Sequence, residues 1–452
     1  MSTTYDITNP ADLSSCAKVE FFDVEEVDRL VTRAHRSLPK WQEMTPHDRT
    51  KVLRAFASEV REHSEELAQA EMLSAGHPIS SARGEAQGVA DVIDYFAGFP
   101  EMPMGRQIPV AGGFDVTFRE PLGVVGVIVP WNFPMLIASW GFAPAMGAGN
   151  AVVLKPAEAT PLSALVLERL ALAAGVPEGV FQVAPGLGET VGWRLVTNEL
   201  VKKVCFTGST RVGKKIMAGC ADQVKRVTLE LGGKSANIVF GDADVAAAAK
   251  AAPFAVFDNA GQDCCARSRL LVDRAVYDDF LPLFFESTAS IVVGDPRDDK
   301  TQMGPLISAA QLARVKGYVD EADVMYQAPH FEGAGYFFSP TVLSGTDTTA
   351  PSCREEIFGP VVSVVPFESE EEAVHIANDS VYGLSGSIWT RDLSRALRVA
   401  RQIESGNLSV NSNSSVRYST PFGGFKGSGI GRELGPDAMD AFTEVKNVFI
   451  AI

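Results

Sequence analysis

The sequence predicts an α/β protein built on parallel sheets, and three features carry that prediction. Short, valine-rich apolar runs recur from Leu122 onward: Gly123–Val129, Ala151–Leu154, Val180–Val183, Val201–Phe206 and Val227–Leu231. Helical patterns fall between several of them, such as Leu162–Ala174 and Gly188–Leu195. The runs are continuously apolar and do not alternate, as expected of strands covered on both faces. A doubly wound unit follows, of the kind that binds ligands beyond the carboxyl ends of its strands. A second α/β series comes after it, with strands at Ala236–Phe240, Ser268–Val272, Val361–Phe367, Gly386–Trp389 and Asn407–Asn411 and helices at Ala309–Asp323 and Glu370–Asn378. At roughly 100–200 residues per domain, 452 residues suffice for two or three domains.

Ahead of the sheets, residues 24–38 place Val24, Val27, Leu30, Val31, Ala34 and Leu38 at helical spacing. A second helical pattern runs from Asp48 to Leu73, with Val52, Phe56, Val60 and Leu67 on one face, and Gly76, His77 and Pro78 stop it. The chain is therefore expected to open with packed helices. Ala328–Gly335 reads as a loop, and no internal repeat or low-complexity linker is present. The tail Phe442–Ile452, FTEVKNVFIAI, is β-prone and needs a sheet edge, from this chain or from another subunit.

Composition narrows the function. Hydrophobic residues make up 46% and charged residues 21%, as in globular domains, not disordered tails. The net charge of −16 repels nucleic acid and anionic membrane, yet a small anionic cofactor can still bind at a helix N-terminus. The leading MSTTYDITNPADLSS has neither a basic nor an apolar segment, so no secretory signal is expected. The most apolar stretch, Leu122–Leu154, is interrupted by Pro130, Asn132, Pro134, Pro144 and Asn150 and falls short of the roughly 18–20 residues that span a bilayer. Cys16, Cys205, Cys220, Cys264, Cys265 and Cys353 form no CxxC pair, which suits a reducing compartment, the cytoplasm. His35, His47, His63, His77, His330 and His375 form no HxxxH or HxH pair, so no metal site is expected.

Several short segments could carry chemistry. Cys264 follows Gly261, Gln262 and Asp263, while the ordinary reading of an isolated cysteine is an inert core filler. Glu230 ends an apolar strand before Leu231, Gly232, Gly233 and Lys234, and points either into a cleft or at solvent. Phe206 to Gly213, FTGSTRVG, follows a strand and opens a helix whose free N–H groups suit a phosphate, although a plain capped helix fits equally. PWNFP at 130–134 and KPAE at 155–158 also end strands.

Taken in order, these segments resemble the NAD(P)-dependent aldehyde dehydrogenase superfamily. PWNFP, KPAE, FTGST at 206–210, LELGGK at 229–234, GQDCCA at 261–266, EEIFGP at 355–360 and PFGGFKGSGIGRELG at 421–435 span nearly the whole chain. The resemblance implies a Rossmann-like NAD-binding domain (residues 1–102 and 122–232), a second α/β catalytic domain (233–432) and a small β oligomerisation element (103–121 and 433–452). It implies Cys264 as nucleophile, Glu230 as general base and Asn132 as oxyanion donor. It also implies a cofactor site from Trp131, Lys155, Glu158, Gly208, Ser209, Val212, Gly213, Glu356 and Phe358, with NAD preferred over NADP, and a homodimer or homotetramer. The sequence departs from the family in a late start that lacks much of the strand-rich lead-in, and in an abbreviated Val324–Tyr336 region.

The substrate is then an aldehyde. Hydrolysis of the acyl-enzyme is favoured over transfer to coenzyme A because Glu230 is kept as a base for water. Complete retention of Cys264, Glu230 and Asn132 argues against a non-catalytic binding protein, and no histidine lies near these motifs to support a cysteine hydrolase. Asp263, directly before the nucleophile, suits the ammonium of an amino-aldehyde. Arg417, in the loop Ser412–Thr420, suits a carboxylated semialdehyde, and a broad range of aliphatic aldehydes is the further alternative. The bland alternative is that the two pair with each other or face water. Met135, Trp140 and Tyr418 are expected as further tunnel walls.

Overall fold

The computed structural model describes residues 3–102 and 105–452. Two parallel-rich sheets dominate it. The first orders its strands as Gly429–Ile430, Arg226–Glu230, Val201–Thr207, Val124–Ile128, Ala151–Lys155 and Phe181–Val183. The last five are mutually parallel, and the short strand at 429–430 runs antiparallel to Arg226–Glu230. The second orders Val324–Gln327, Thr341–Ser344, Val361–Phe367, Arg269–Asp273, Ala236–Val239, Ser385–Trp389 and Asn407–Val410, with only the first antiparallel. The five expected strands of each series appear, within one or two residues of their predicted ends. Val124–Ile128 and Ala151–Lys155 are buried along their whole length, which explains their unbroken apolar sequence.

The chain does not open with helices. Thr3–Thr8 pairs antiparallel with Ser15–Phe21, and Ile7, Val19 and Phe21 form a small core under this hairpin. The alternation is only a few residues long on each arm, too short to stand out in the sequence. Met1 and Ser2 lie outside the described residues, as do Pro103 and Met104, on which the expected boundary between residues 102 and 103 falls. The single helix expected over Asp48–Leu73 is two, Pro46–Glu62 and Ser64–Ala75, broken at His63, whose backbone leaves the helical region. Gly188–Leu195 begins as a π-helical turn over Gly188–Gly192 before Trp193–Thr197.

Pro134–Gly147 is a helix that periodicity could not reveal, because every residue except Leu136 is buried. A helix apolar all round has no stripe to detect. Pro134 sits in its first turn, where the missing N–H costs nothing. The tail strand Thr443–Ala451 finds its edge within this chain, antiparallel to Gly113–Pro121, which also pairs with Gln107–Val110. Val445, Phe449 and Ile450 on that strand remain exposed.

Candidate active site

Three adjacent parallel strands of the first sheet deliver the site at their carboxyl ends. Val124–Ile128 leads to Trp131 and Asn132, Val201–Thr207 leads to Gly208 and Ser209, and Arg226–Glu230 ends on Glu230 itself. Across from them, the second half of the chain supplies Cys264, Glu356 and Phe358. Together they enclose a cleft of about 370 Å³ whose lining includes Trp131, Asn132, Gly208, Ser209, Glu230 and Cys264.

The loop that carries Cys264 is held in a costly shape. Asn259, Ala260 and Gly261 are three consecutive residues at positive φ. A Cβ on Gly261 would stand 2.0 Å from the Gly359 carbonyl oxygen, so only glycine allows the two loops to meet. Non-glycine residues in this region cost on the order of 1–3 kcal/mol each, and such strain concentrates at functional sites. Side chains lock the loop in place. Gln262 Nε2 donates to Asn259 O (3.1 Å), Asn259 Nδ2 donates to Asn132 O (2.8 Å), and Asn132 Nδ2 donates to Gln262 O (2.9 Å). Asn132 and the nucleophile loop are thus one hydrogen-bonded unit, and the second N–H of the Asn132 amide is left over. The Cys264 main-chain N–H has no acceptor among the described residues.

Glu230 is 2% exposed, and neither carboxylate oxygen has a hydrogen-bond partner. Desolvation, reinforced by the nearby Glu433, raises its pKa well above the ordinary carboxylate range. Cys264 is likewise raised, by its contact with the Cys265 thiol, by burial and by the charges of Asp263 and Glu356. A resting thiol and an unpartnered carboxyl group raised in basicity line the same cleft, an arrangement suited to general acid–base chemistry there.

Glu356 is fixed by the two glycines after Glu230. Gly233 N donates to Glu356 Oε1 at 2.9 Å, and a Cβ on Gly232 would lie 2.5 Å from Glu356 Oε2. Trp131 and Phe358 meet edge to face with centroids 5.2 Å apart. Ser209 caps the helix Thr210–Ala221, accepting from Val212 N, so the capped-helix reading holds and leaves the first-turn N–H groups facing the cleft region. Gly213 lets that helix approach Leu231, whose Cδ2 would be 2.5 Å from an added Cβ. Lys155 and Glu158 lie at the end of the neighbouring strand, outside the cleft lining. Lys155 Nζ donates to Glu158 Oε1 at 3.0 Å, and Gly188 N donates to the same oxygen. Arg211, Gln311, Arg314 and Tyr382 also line the cleft and were not anticipated.

Cys264 also lines a second cavity of about 260 Å³, together with Trp140, Phe422, Asp258, Asp263 and Arg267 among others. Of the five expected walls, Trp140 and Asp263 line it. Met135 is fully buried in the core behind, and Arg417 and Tyr418 are exposed outside it. Tyr418 packs on Tyr95 (centroids 5.4 Å apart), and Arg417 Nη1 reaches only Ser414 O. Asp263 and Arg417 form no ion pair among the described residues. Asp258 and Arg267 were missed, although each is within six residues of Cys264.

A third cavity of about 280 Å³ shares Phe133, Leu136 and Asp258 with the second. Its far wall holds His77 and Glu85, whose Nδ1 and Oε1 are 2.8 Å apart, with Glu71 close by. Burial opposes the charge on His77, but Glu85 and Glu71 outweigh it and bring the pKa to about 9. Oxygen and nitrogen atoms of Glu71, His77 and Glu85 lie within 4.8 Å of one another, a grouping explained by a buried ion pair.

A family model described as the aldehyde dehydrogenase family matches residues 1–448. The chain belongs to the aldehyde dehydrogenase family. It is 38% identical to the betaine aldehyde dehydrogenase of Bacillus subtilis (strain 168) over 98% of this chain and 93% of that protein. It is also 38% identical to the mitochondrial aldehyde dehydrogenase of Homo sapiens, covering 99% and 89% of the two chains. Among solved structures, PnpE from Pseudomonas sp. WBC-3, determined with nicotinamide adenine dinucleotide, superposes with a TM-score of 0.97 at 41% identity over 99% of this chain and 94% of that one. This aldehyde dehydrogenase is an oxidoreductase of that family, and among its described residues no helix is long and apolar enough to cross a membrane.

Proposed function

We propose that this aldehyde dehydrogenase oxidises aldehydes to carboxylic acids with NAD, through a Cys264 thioester that water hydrolyses, and that its preferred substrates carry an amino group. The observation that supports this best is the position of Cys264, which lies in the walls of both the 370 Å³ cleft and the 260 Å³ cavity. An aldehyde in the cavity and a nicotinamide in the cleft would both reach the same thiol.

The cleft fits NAD. It combines a helix N-terminus for the pyrophosphate, Glu356 fixed by Gly232 and Gly233 for a ribose, and the Trp131–Phe358 pair for a flat ring. Lys155 and Glu158 would meet the adenine-side ribose. Bound NAD supplies the acceptor for the hydride. The protein does the rest. The Cys264 thiolate attacks the carbonyl, and the Asn132 amide and the Cys264 N–H stabilise the resulting oxyanion, each donor typically contributing about 3–4 kcal/mol. Loss of hydride leaves a thioester, for which Glu230 deprotonates the attacking water.

The free cysteines support a reducing compartment such as the cytoplasm, and the exposed apolar side chains of Thr443–Ala451 support a homo-oligomer. A carboxylated semialdehyde is the second reading, favoured by Arg267 in the cavity wall. The test is NAD reduction with a panel of cationic, neutral and anionic aldehydes, without coenzyme A. Turnover that strictly requires coenzyme A overturns the hydrolytic reading.

A further inference from the structure

We infer that Asp258, in the wall shared by the second and third cavities, binds the ammonium group at the far end of an amino-aldehyde and so sets substrate preference. The inference rests on the proposed function and assigns its specificity to a residue other than Asp263.

Asp263 is committed elsewhere. Its Oδ1 accepts from Cys265 N at 2.8 Å, its carboxylate contacts the Cys264 thiol, and the Arg267 guanidinium is close enough to favour its charge. Arg267 is buried in turn and donates to the Cys265 carbonyl (2.9 Å), Ser387 Oγ (3.2 Å) and Ser415 Oγ (2.8 Å). Asp263 is thus tied to the main chain and the nucleophile, with Arg267 offsetting part of the burial that raises its pKa.

Asp258 differs on each point. Its side chain accepts one hydrogen bond, from the neighbouring Asn259 N–H at 3.0 Å, and no ion pair reaches it among the described residues. Its surface opens onto the two cavities that it borders, while protein surrounds the carboxylate on its other sides. His77, the nearest cation to act on it, is already paired to Glu85. Burial and the charges of Asp263 and Glu85 push its pKa up to about 6, so it is ionised at neutral pH and lacks a partner. A carboxylate held in protein without a cation is destabilised until one arrives, and an ammonium supplies both charge and donors. Phe133 and Leu136, which flank it in both cavities, offer apolar surface to the methylenes between aldehyde and amine.

The experiment compares kcat/KM for 4-aminobutanal and butanal in the wild type and in Asp258→Asn, with NAD. The wild type is expected to prefer 4-aminobutanal by about tenfold, a typical effect of one shielded charge pair, and the variant is expected to lose most of that ratio. An unchanged ratio in Asp258→Asn, or a collapse with Asp263→Asn instead, overturns the inference. So does a preference for succinic semialdehyde that Arg267→Gln abolishes. If Asp258→Asn does not fold, inhibition of the wild type decides: butylammonium should compete with the aldehyde at least fivefold more tightly than 1-butanol, and equal inhibition overturns the assignment. Failure of the underlying reaction is separate, because it removes NAD reduction with butanal as well.

Discussion

The two spaces that meet at Cys264 are built differently. The cleft on the Glu230 side is a product of strand order: three neighbouring parallel strands end there, and the loops after them present main-chain groups and fixed polar side chains. The cavity on the Asp258 side is lined by the helix Pro134–Gly147, by short helical turns at Pro253–Ala255 and Asp258–Gly261 and by loops from distant parts of the chain, and it encloses several charges. The first arrangement constrains nearly every residue, whereas the second can change side chains without disturbing a strand. On the roles proposed above, reaction and specificity fall to separate parts of one site, and perturbing each should give distinct signatures.

Cys264, the one residue common to both, should show the largest effect. Cys264→Ser is expected to lower kcat by about 10³-fold or more, since a serine hydroxyl without an adjacent histidine is a poor nucleophile. Cys265→Ser should keep most activity, because Cys265 lines the cavity but not the cleft. Steady-state kinetics of the pair check this, and an active Cys264→Ser enzyme breaks the assignment. Next in size is Glu230→Gln, a change confined to the cleft side. Hydride transfer should survive, giving a burst of NADH no larger than the enzyme concentration, followed by turnover reduced by about 10²-fold or more. Steady turnover near that of wild type would place the base elsewhere.

The same contrast governs what the sequence revealed. Glu230, Asn132 and the FTGST turn were legible because each sits at or just after a strand end, where a continuous apolar run stops at a polar residue, whereas Cys264 lies in a loop and was read from the GQDCCA motif alone. The second cavity was poorly legible. Met135, expected as a wall, faces the core, because the helix that carries it is buried all round and has no apolar stripe from which to read its orientation. Arg417 and Tyr418 were placed by loop membership alone, and a loop does not fix which way its side chains point. Asp258 lies three residues before the GQDCCA motif and was not read at all, because three consecutive left-handed residues turn the chain between it and Cys264 and separate it from the motif. The N-terminal hairpin was missed because its alternation was too short to outweigh the helices after it.

In the wall of the third cavity, buried charge should also show itself in stability. His77 has its folded pKa raised to about 9, above the unfolded value of about 6.5. Its contribution is therefore complete below pH 6.5 and is lost as the pH rises through 9, and the full difference corresponds to about 3 kcal/mol. Thermal melts of wild type and His77→Gln across pH 6–10 should show a gap in Tm that is widest at the acid end and shrinks toward pH 9. A gap that stays constant would mean that the ring is neutral, and that the Glu71–His77–Glu85 group is not the ion pair its geometry describes.

The smallest effect is expected at the far edge of the cofactor side, in the choice between NAD and NADP. Glu158 is held in the turn after Ala151–Lys155, with one oxygen fixed by Lys155 Nζ and Gly188 N, while its side chain stays 42% exposed. A carboxylate beside the adenosine ribose can accept from both ribose hydroxyls, whereas a 2′-phosphate brings like charge into the same space. Lys155 offsets that repulsion in part, although burial lowers its pKa and works against its charge. Solvent access weakens the repulsion further. The balance is a preference for NAD of about tenfold in kcat/KM, or about 1.4 kcal/mol, and not an exclusion of NADP. Glu158→Gln keeps an acceptor for the hydroxyls while removing the charge, so it should narrow the ratio mainly by improving KM for NADP. If the wild type already uses both cofactors equally, Glu158 is turned away from the ribose, and Lys155 becomes the residue that meets the phosphate.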